Sequence, residues 1–329
     1  MDYVELKEGV RVSRFSLGTW AFSGAAIWGE NEESDSIRTI RMAVDNGVNL
    51  LDTAAAYGDG ASEVVLGKAV KGIRDKVMIA TKAVAADLAY DRVIASCEAS
   101  LERLGVDCID LYQIHWPSRV VPMEETLRAF ERLKSDGKVA HMGVCNFGVR
   151  CLGGVAGVGV LTDQLPYNIL WRQIEHGVTD AAKAADISIW PYCPLGQGLL
   201  TGKFKTVEDV PLARRQTRYY SGEWKAGRHS DTGFEKEIFG FLADLGKIAD
   251  ETGYSMAALS LSWLRSRPGV GSVLIGARSE AQLADNLKTF GTVVPADVMA
   301  RVSALSDALK PHMGENADMW ENADGGRVY

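Results

Sequence analysis

The chain has 329 residues, 47% of them hydrophobic and 24% charged, with a formal net charge of −7. This composition supports a large apolar core rather than a disordered chain, and the acidic balance argues against nucleic acid or an anionic membrane surface as the main partner. No run approaches the roughly 20 apolar residues of a membrane span, and the N-terminus MDYVELKEGV lacks a basic-then-apolar signal, which points to a cytoplasmic location.

The first predicted element is a hairpin, in which VELKEGVRVSRF alternates around the turn-like Lys7-Glu8-Gly9. Eight apolar runs then read as strands, at about 14–18, 48–52, 77–81, 108–114, 140–145, 161–164, 187–191 and 272–275. Between them lie segments of helical period. Ser34 can cap a helix bearing Ile37, Ile40 and Val44 that Gly47 stops. Asp91 can cap one bearing Val93, Cys97, Leu101 and Leu104 that Gly105 stops, and a third bears Leu127, Phe130 and Leu133 and ends at Gly137. Strand and helix in alternation is the βαβ grammar of a parallel sheet, and eight strands favour closure into a (β/α)8 TIM barrel. An open nucleotide-binding sheet is disfavoured, because the first strand is followed by Gly18-Thr19-Trp20-Ala21-Phe22 and not by GxGxxG.

The alternation breaks after the seventh strand, where a long loop runs from Leu199 to about Thr232. Between Thr201 and Arg228 it holds Lys203, Lys205, Arg214, Arg215, Arg218, Lys225 and Arg228 against Glu208, Asp209 and Glu223, a local charge of +4. Either an anionic ligand sits beneath it or the charges are simply solvated. The five cysteines, Cys97, Cys108, Cys145, Cys151 and Cys193, show no CxxC spacing, and the histidines never fall as HxxxH. Free thiols and no metal site are therefore expected.

Asp52, Lys82, His115, Asn146, Gln164, Tyr192 and Arg278 each stand at the downstream end of a different strand run, and Tyr57 lies five residues after the first of them. In a parallel barrel all such ends meet on one rim, where active sites of this architecture are built. Asp52, Tyr57, Lys82 and His115 are the residue types needed to protonate a carbonyl oxygen while a hydride reaches its carbon. A tyrosine is a poor acid or base near neutrality, so a neighbouring lysine is expected to stabilise its phenolate, with a carboxylate holding the lysine's charge.

Six segments, taken together and in order, resemble the aldo-keto reductases: GVNLLDTAAAYGDGASEVVLGKAV, ATK, DLYQIHWP, GKVAHMGVCNF, PYCPLGQGLLTGKF and IGARSEAQLADN. The nearer likeness is to the bacterial branch of general-stress and inositol-associated reductases, and the more distant one to potassium-channel β subunits. The resemblance covers nearly the whole chain and implies one barrel domain over residues 1–329, with a tail from about 311 to 329 over the substrate pocket. It also implies NADPH lying extended across the rim without a Rossmann fold. Tyr57 would be the general acid, Lys82 and Asp52 its partners, and His115 the donor that orients the carbonyl.

The same resemblance assigns the nicotinamide carboxamide to Asn146 and Gln164 and the stacked ring to Tyr192, with Asp52, Gly18, Thr19 and Trp20 nearby. Pro194, Leu195, Gly196, Gly198, Leu199 and Lys203 would cover the pyrophosphate. At the end of the eighth strand Gly276, Arg278, Gln282 and Asn286 would take the adenosine end, Arg278 favouring NADPH over NADH through a 2′-phosphate. Trp20, Trp28, Tyr57, Trp116 and Trp320, with Met319 as a soft candidate, would wall the pocket of a small-molecule aldehyde, ketone or sugar. Cys145 and Cys193 stand where the family often has Ser, either as small buried residues or as thiols sensitive to oxidation.

Two other functions stay open: a cofactor-binding redox sensor or channel-associated subunit with slow turnover, and a metal-dependent barrel hydrolase or isomerase using Asp52 and His115, which lacks further ligands at strand ends. Physiological substrate, reaction direction and oligomeric state are not legible.

Overall fold

Two short strands, β1 (Tyr3–Glu5) and β2 (Arg11–Ser13), form an antiparallel hairpin with Val4 opposite Val12. The structure is a computed structural model and describes residues 1–24, 27–29, 31–224, 227–322 and 326–329. Lys225, counted among the basic residues of the long loop, lies outside them. The barrel strands are β3 (Phe15–Gly18), β4 (Leu50–Asp52), β5 (Met78–Ala83), β6 (Ile109–Ile114), β7 (Val139–Cys145), β8 (Val160–Pro166), β9 (Ser188–Tyr192) and β10 (Val273–Gly276). All pair in parallel in chain order, and β10 returns to β3. A bridge from Ile189 to Val270 links β9 to the segment before β10. The expected eight-stranded barrel is the observed one.

Helices α1 (Glu33–Asp45), α2 (Ala61–Val70), α3 (Tyr90–Leu104), α4 (Met123–Ser135), α5 (Val149–Val155) and α6 (Val178–Ala184) follow β3 to β8 in turn. Both α7 (Glu235–Thr252) and α8 (Met256–Arg265) precede β10, while α9 (Glu280–Phe290) and α10 (Ala296–Leu309) follow it, α10 packing on α7 and α8. Gly105 ends α3 in the left-handed conformation, φ 64°, as a C-terminal glycine should. The expected N-caps are not used. Ser34 and Asp91 both fall inside the first turns of their helices, and the free amide of Tyr90 is taken by Glu125 Oε1 of α4 at 2.9 Å. That cap comes from another element, so local spacing could not show it.

Apolar burial divides into two parts. The larger fills the layer between the strands and the helices. The smaller lies inside the barrel and joins Leu50, Met78, Ala80, Leu111, Leu161, Trp190 and Leu274 to Leu6 and Val12 of the hairpin. The hairpin therefore plugs the end of the barrel opposite the rim. The long loop after β9 is also more ordered than expected. It carries 3₁₀ turns at Gly196–Thr201, Val207–Asp209 and Leu212–Arg214, and it buries Tyr219 and Tyr220.

Asp163 of β8 is completely buried; one carboxyl oxygen accepts from the Phe147 amide at 3.3 Å and the other has no partner among the described residues. Burial pushes this carboxyl well above the usual carboxylate range, with the Phe147 hydrogen bond opposing. The folded chain then keeps a proton that the unfolded chain loses above about pH 4, so stability falls as pH rises from that value towards the folded one. Asp163→Asn is expected to raise the melting temperature more at pH 8 than at pH 4. Equal shifts at the two pH values would mean that Asp163 is ionised in the fold.

Candidate active site

Side chains two apart on a strand share a face, and this rule stacks a polar layer on the apolar floor of the barrel. Leu50 is followed on its face by Asp52, Ala80 by Lys82, Leu111 by Gln113 and Trp190 by Tyr192. Leu50, Ala80, Leu111 and Trp190 belong to the interior cluster. Lys82 lies within β5, and Gln164 within β8, one to two residues deeper than strand ends drawn from the apolar runs alone.

Lys82 is fully buried. Its ammonium donates to Asp52 Oδ1 and Oδ2 at 2.9 and 2.8 Å, to the Thr53 carbonyl at 2.6 Å and to the Tyr57 hydroxyl at 3.4 Å. Asp52 also accepts from Gln164 Nε2 at 2.9 Å and, more weakly, from Gln113 Nε2 at 3.4 Å. Burial opposes the lysine charge, but Asp52 and Tyr57 outweigh it and the ammonium is held above its ordinary value. Gln113 was not anticipated from the sequence. Its position two residues after Leu111 on one face is the signal that would have found it.

The Tyr57 hydroxyl is pushed up to about 12, chiefly by burial, while Lys82 pulls it down and Asp52 pushes it up. The lysine acts in the expected sense, but desolvation outweighs it and the side chain rests as a neutral phenol. His115 follows β6, with its ring 6.0 Å from that of Tyr57 in a T-shaped contact. Burial, then Lys82 and Arg327, lower its imidazole to about 3, so it is uncharged near neutrality.

Beside this group, Asn146 sits in the left-handed region, φ 62°, directly after β7. Its amide donates to the His115 carbonyl at 3.0 Å and accepts from the Tyr192 hydroxyl at 2.9 Å, and Trp320 Nε1 donates to that same hydroxyl at 3.0 Å. The bonds counted for Asn146 and Gln164 leave each side-chain amide further donor and acceptor capacity. Thr19 is fully buried, with its hydroxyl engaged by the Asp52 carbonyl at 2.9 Å and by Ser62 at 2.7 Å, so its side chain braces β4 instead of facing a ligand. Gly18 pairs with Asp52 at the same rim.

The other expected cofactor residues gather further round the rim. Pro194 and Leu195 lead into the turn at Gly196–Thr201, where Gly198 has φ 102° and a Cβ on it would meet Lys203 Nζ at 2.9 Å. Leu199 is buried beneath this turn. Burial, then Arg214 and Arg278, lower the Lys203 ammonium, and burial and Arg278 lower Arg214. Three cations thus crowd together, Lys203 against Gly198 and Arg278 against Gly29, an arrangement that suits a ligand bearing phosphates. Gln282 Oε1 accepts from the Arg278 amide at 2.8 Å, Asn286 donates to the Gly276 carbonyl at 3.1 Å, and Ser279 caps α9 just behind them. Of the loop's remaining basic residues, Arg215 and Arg218 are buried and structurally engaged. Arg215 lies 4.2 Å over the Trp224 ring, and Arg218 pairs with Asp231 at 2.5 Å.

Trp20 stacks on Tyr57 at 5.8 Å and touches Trp28 at 5.3 Å and Trp320 at 6.4 Å. Trp116 stands apart, with the Arg327 guanidinium 3.5 Å above its ring. Met319 is fully buried in the outer core and does not wall the opening. Burial holds the Cys145 thiol well above its usual range and pushes Cys193 up to about 12. Neither carries the thiolate that oxidation requires, which disfavours the oxidation-sensitive reading.

The family model for the aldo/keto reductase family matches residues 14–307. The chain is 38% identical over 301 residues to aldo-keto reductase YhdN of Bacillus subtilis, covering 86% of this chain and 87% of that one. It is 29% identical over 306 residues to the NADH-specific methylglyoxal reductase of Escherichia coli, covering 84% and 90%. A crystal structure of an aldo/keto reductase from Klebsiella pneumoniae in complex with NADP and acetate superposes with a TM-score of 0.72 at 25% identity, covering 92% of this chain and 95% of that one.

Removing one member of a buried ion pair leaves the other charged and unsolvated, at a cost of about 3–5 kcal/mol. Lys82→Met is accordingly expected to destabilise the fold by that amount in urea, and Lys82→Met with Asp52→Asn to recover part of the loss. A loss in the single variant below about 1 kcal/mol would contradict the burial of the pair.

Proposed function

The chain belongs to the aldo/keto reductase family and is an NAD(P)H-dependent oxidoreductase; we propose that it reduces the carbonyl of a small aldehyde, ketone or sugar with NADPH, using Tyr57 as the general acid. The observation that carries this reading is the contact of the Tyr57 hydroxyl with the buried Lys82–Asp52 pair, at the foot of an opening walled by Trp20, Trp28 and Trp320. When bound, the reduced nicotinamide supplies a hydride to the carbonyl carbon. Tyr57 gives its phenolic proton to the carbonyl oxygen, and Lys82, 3.4 Å away, stabilises the negative charge this leaves on the tyrosine. Asp52 keeps Lys82 charged. His115, being neutral, donates one hydrogen bond to the same oxygen without competing as an acid. In the reverse direction Tyr57 must first lose its proton, and alcohol oxidation is therefore favoured at high pH.

Asn146, Gln164 and Tyr192 would hold the nicotinamide end, and the turn at Gly196–Thr201 with Lys203, Arg278, Gln282 and Asn286 the phosphates and adenosine. Arg214 joins them on the strength of its place beside Lys203 and Arg278. The three cations support NADPH, whose extra phosphate adds negative charge at the adenosine end. A family relative named as NADH-specific makes the preference a matter for measurement.

Tyr57→Phe is expected to lower kcat/KM for a reactive test aldehyde by about 10²- to 10⁴-fold while NADPH affinity, read by fluorescence, is retained. Unchanged turnover would remove Tyr57 as the acid, and tight NADPH binding without turnover on any carbonyl by the wild type would favour the sensor reading. The pH profile of reduction should show no inflection between pH 6 and 8, since His115 titrates near 3 and Tyr57 near 12. An inflection near pH 6.5 that vanishes in His115→Gln would contradict the neutral imidazole. Arg278→Ala should reduce the preference for NADPH over NADH by about 10- to 100-fold, the loss of hydrogen bonds to a charged group; an unchanged ratio would place the 2′-phosphate elsewhere.

A further inference from the structure

The segment after α10 contains a completely buried carboxylate that none of the roles above uses. Asp318 accepts three backbone amides, from Trp320 at 2.9 Å and Glu321 at 3.2 Å on one oxygen and from Arg327 at 2.9 Å on the other, with Arg327 Nε at 3.4 Å. Its own carbonyl accepts from Arg218 Nη1 at 3.0 Å, and the Arg218 amide donates to the Met319 carbonyl at 2.8 Å, fastening the segment to the long loop. A buried carboxylate with this many donors fixes the backbone around it. From that fixed backbone Trp320 reaches the rim, where its indole nitrogen donates to the Tyr192 hydroxyl. Tyr192 in turn donates to Asn146, and Asn146 donates to the His115 carbonyl. The Trp320 ring also meets Trp20 in a T-shaped contact, and Trp20 stacks on Tyr57.

We propose that Asp318 is a positioning residue for the reduction: by clasping the amides of Trp320, Glu321 and Arg327 it holds the Trp320 indole against Tyr192 and Trp20, and so shapes the opening in which the carbonyl substrate lies. The inference rests on the reading of Tyr57 as the acid of that opening. Asp318 touches no reacting atom and acts through Trp320. Its loss should therefore weaken substrate binding more than turnover, and it should do so only while Trp320 is present.

Two readouts test this. In protein labelled with ¹⁵N-tryptophan, the Trp320 indole resonance, identified by its absence from Trp320→Phe, should shift in Asp318→Asn and in Tyr192→Phe. In kinetics with NADPH and benzaldehyde, Asp318→Asn and Trp320→Phe should each raise KM about 10-fold, the worth of one hydrogen bond, with kcat changed less than 3-fold, and the double variant should be no worse than either single one. An unmoved indole resonance, or KM effects that multiply in the double variant, would overturn the proposal. If Asp318→Asn does not fold, Arg327→Gln loosens the same carboxylate from its side-chain partner and should move the indole resonance and KM in the same direction; no movement would again overturn it. If the wild type reduced no carbonyl, the functional reading would fail while the indole resonance still decided the role of Asp318.

Discussion

An ammonium and a carboxylate without access to water, 2.8 Å apart, are the constraint on which the rim depends. Each would be untenable alone in that position, and their mutual attraction is useful only if the surrounding dipoles are also in place. Those dipoles come from the Thr53 carbonyl on Lys82 and the amides of Gln113 and Gln164 on Asp52, so that β4, β5, β6 and β8 must all be in register for the pair to exist. The geometry of the polar layer is thereby tied to the closure of the barrel. Tyr57 enters this layer from a turn, its amide bonded to the Ala54 carbonyl at 3.0 Å, and it is the one member that faces both the pair and the opening.

Much of the fold is legible in the sequence because its signals are local. Alternation on strands and the glycines after α3 and α4 depend on neighbours in the chain, and they place eight strands to within about two residues. Two of the failures are non-local. The helix that Asp91 was expected to cap starts one residue before it, with the Tyr90 amide taken by a glutamate 35 residues away, and a loop that reads as unstructured is held by the buried Arg215, Arg218, Tyr219 and Tyr220.

At the site the same division holds. Strand-end residues are readable because a parallel barrel gathers them on one rim, and Asp52, Tyr57, Lys82, His115 and Asn146 do meet there. The sign of the Tyr57 shift was not readable, since it is the balance between a named neighbour and an unnamed amount of buried surface. Nor was the split among the basic residues of the long loop. Arg214 lies beside Lys203 and Arg278 and over the Trp28 ring, whereas Arg215, one position on, turns to Trp224 and the Val210 carbonyl. Asp318 and Arg327 lie in a tail with no periodicity to mark them, and only the folded chain brings them to Trp320 and Trp116.

The hairpin at the far end of the barrel gives this arrangement a direction. With Leu6 and Val12 stopping that end, Lys82 lies between an apolar floor and the aromatic side chains around Tyr57. Floor and opening are then separate parts: the floor sets how strongly charge is held, and the opening, built around Trp20 of the loop after β3 and Trp320 of the tail after α10, sets what comes against Tyr57. Changes in the loops can alter the second property while leaving the first untouched.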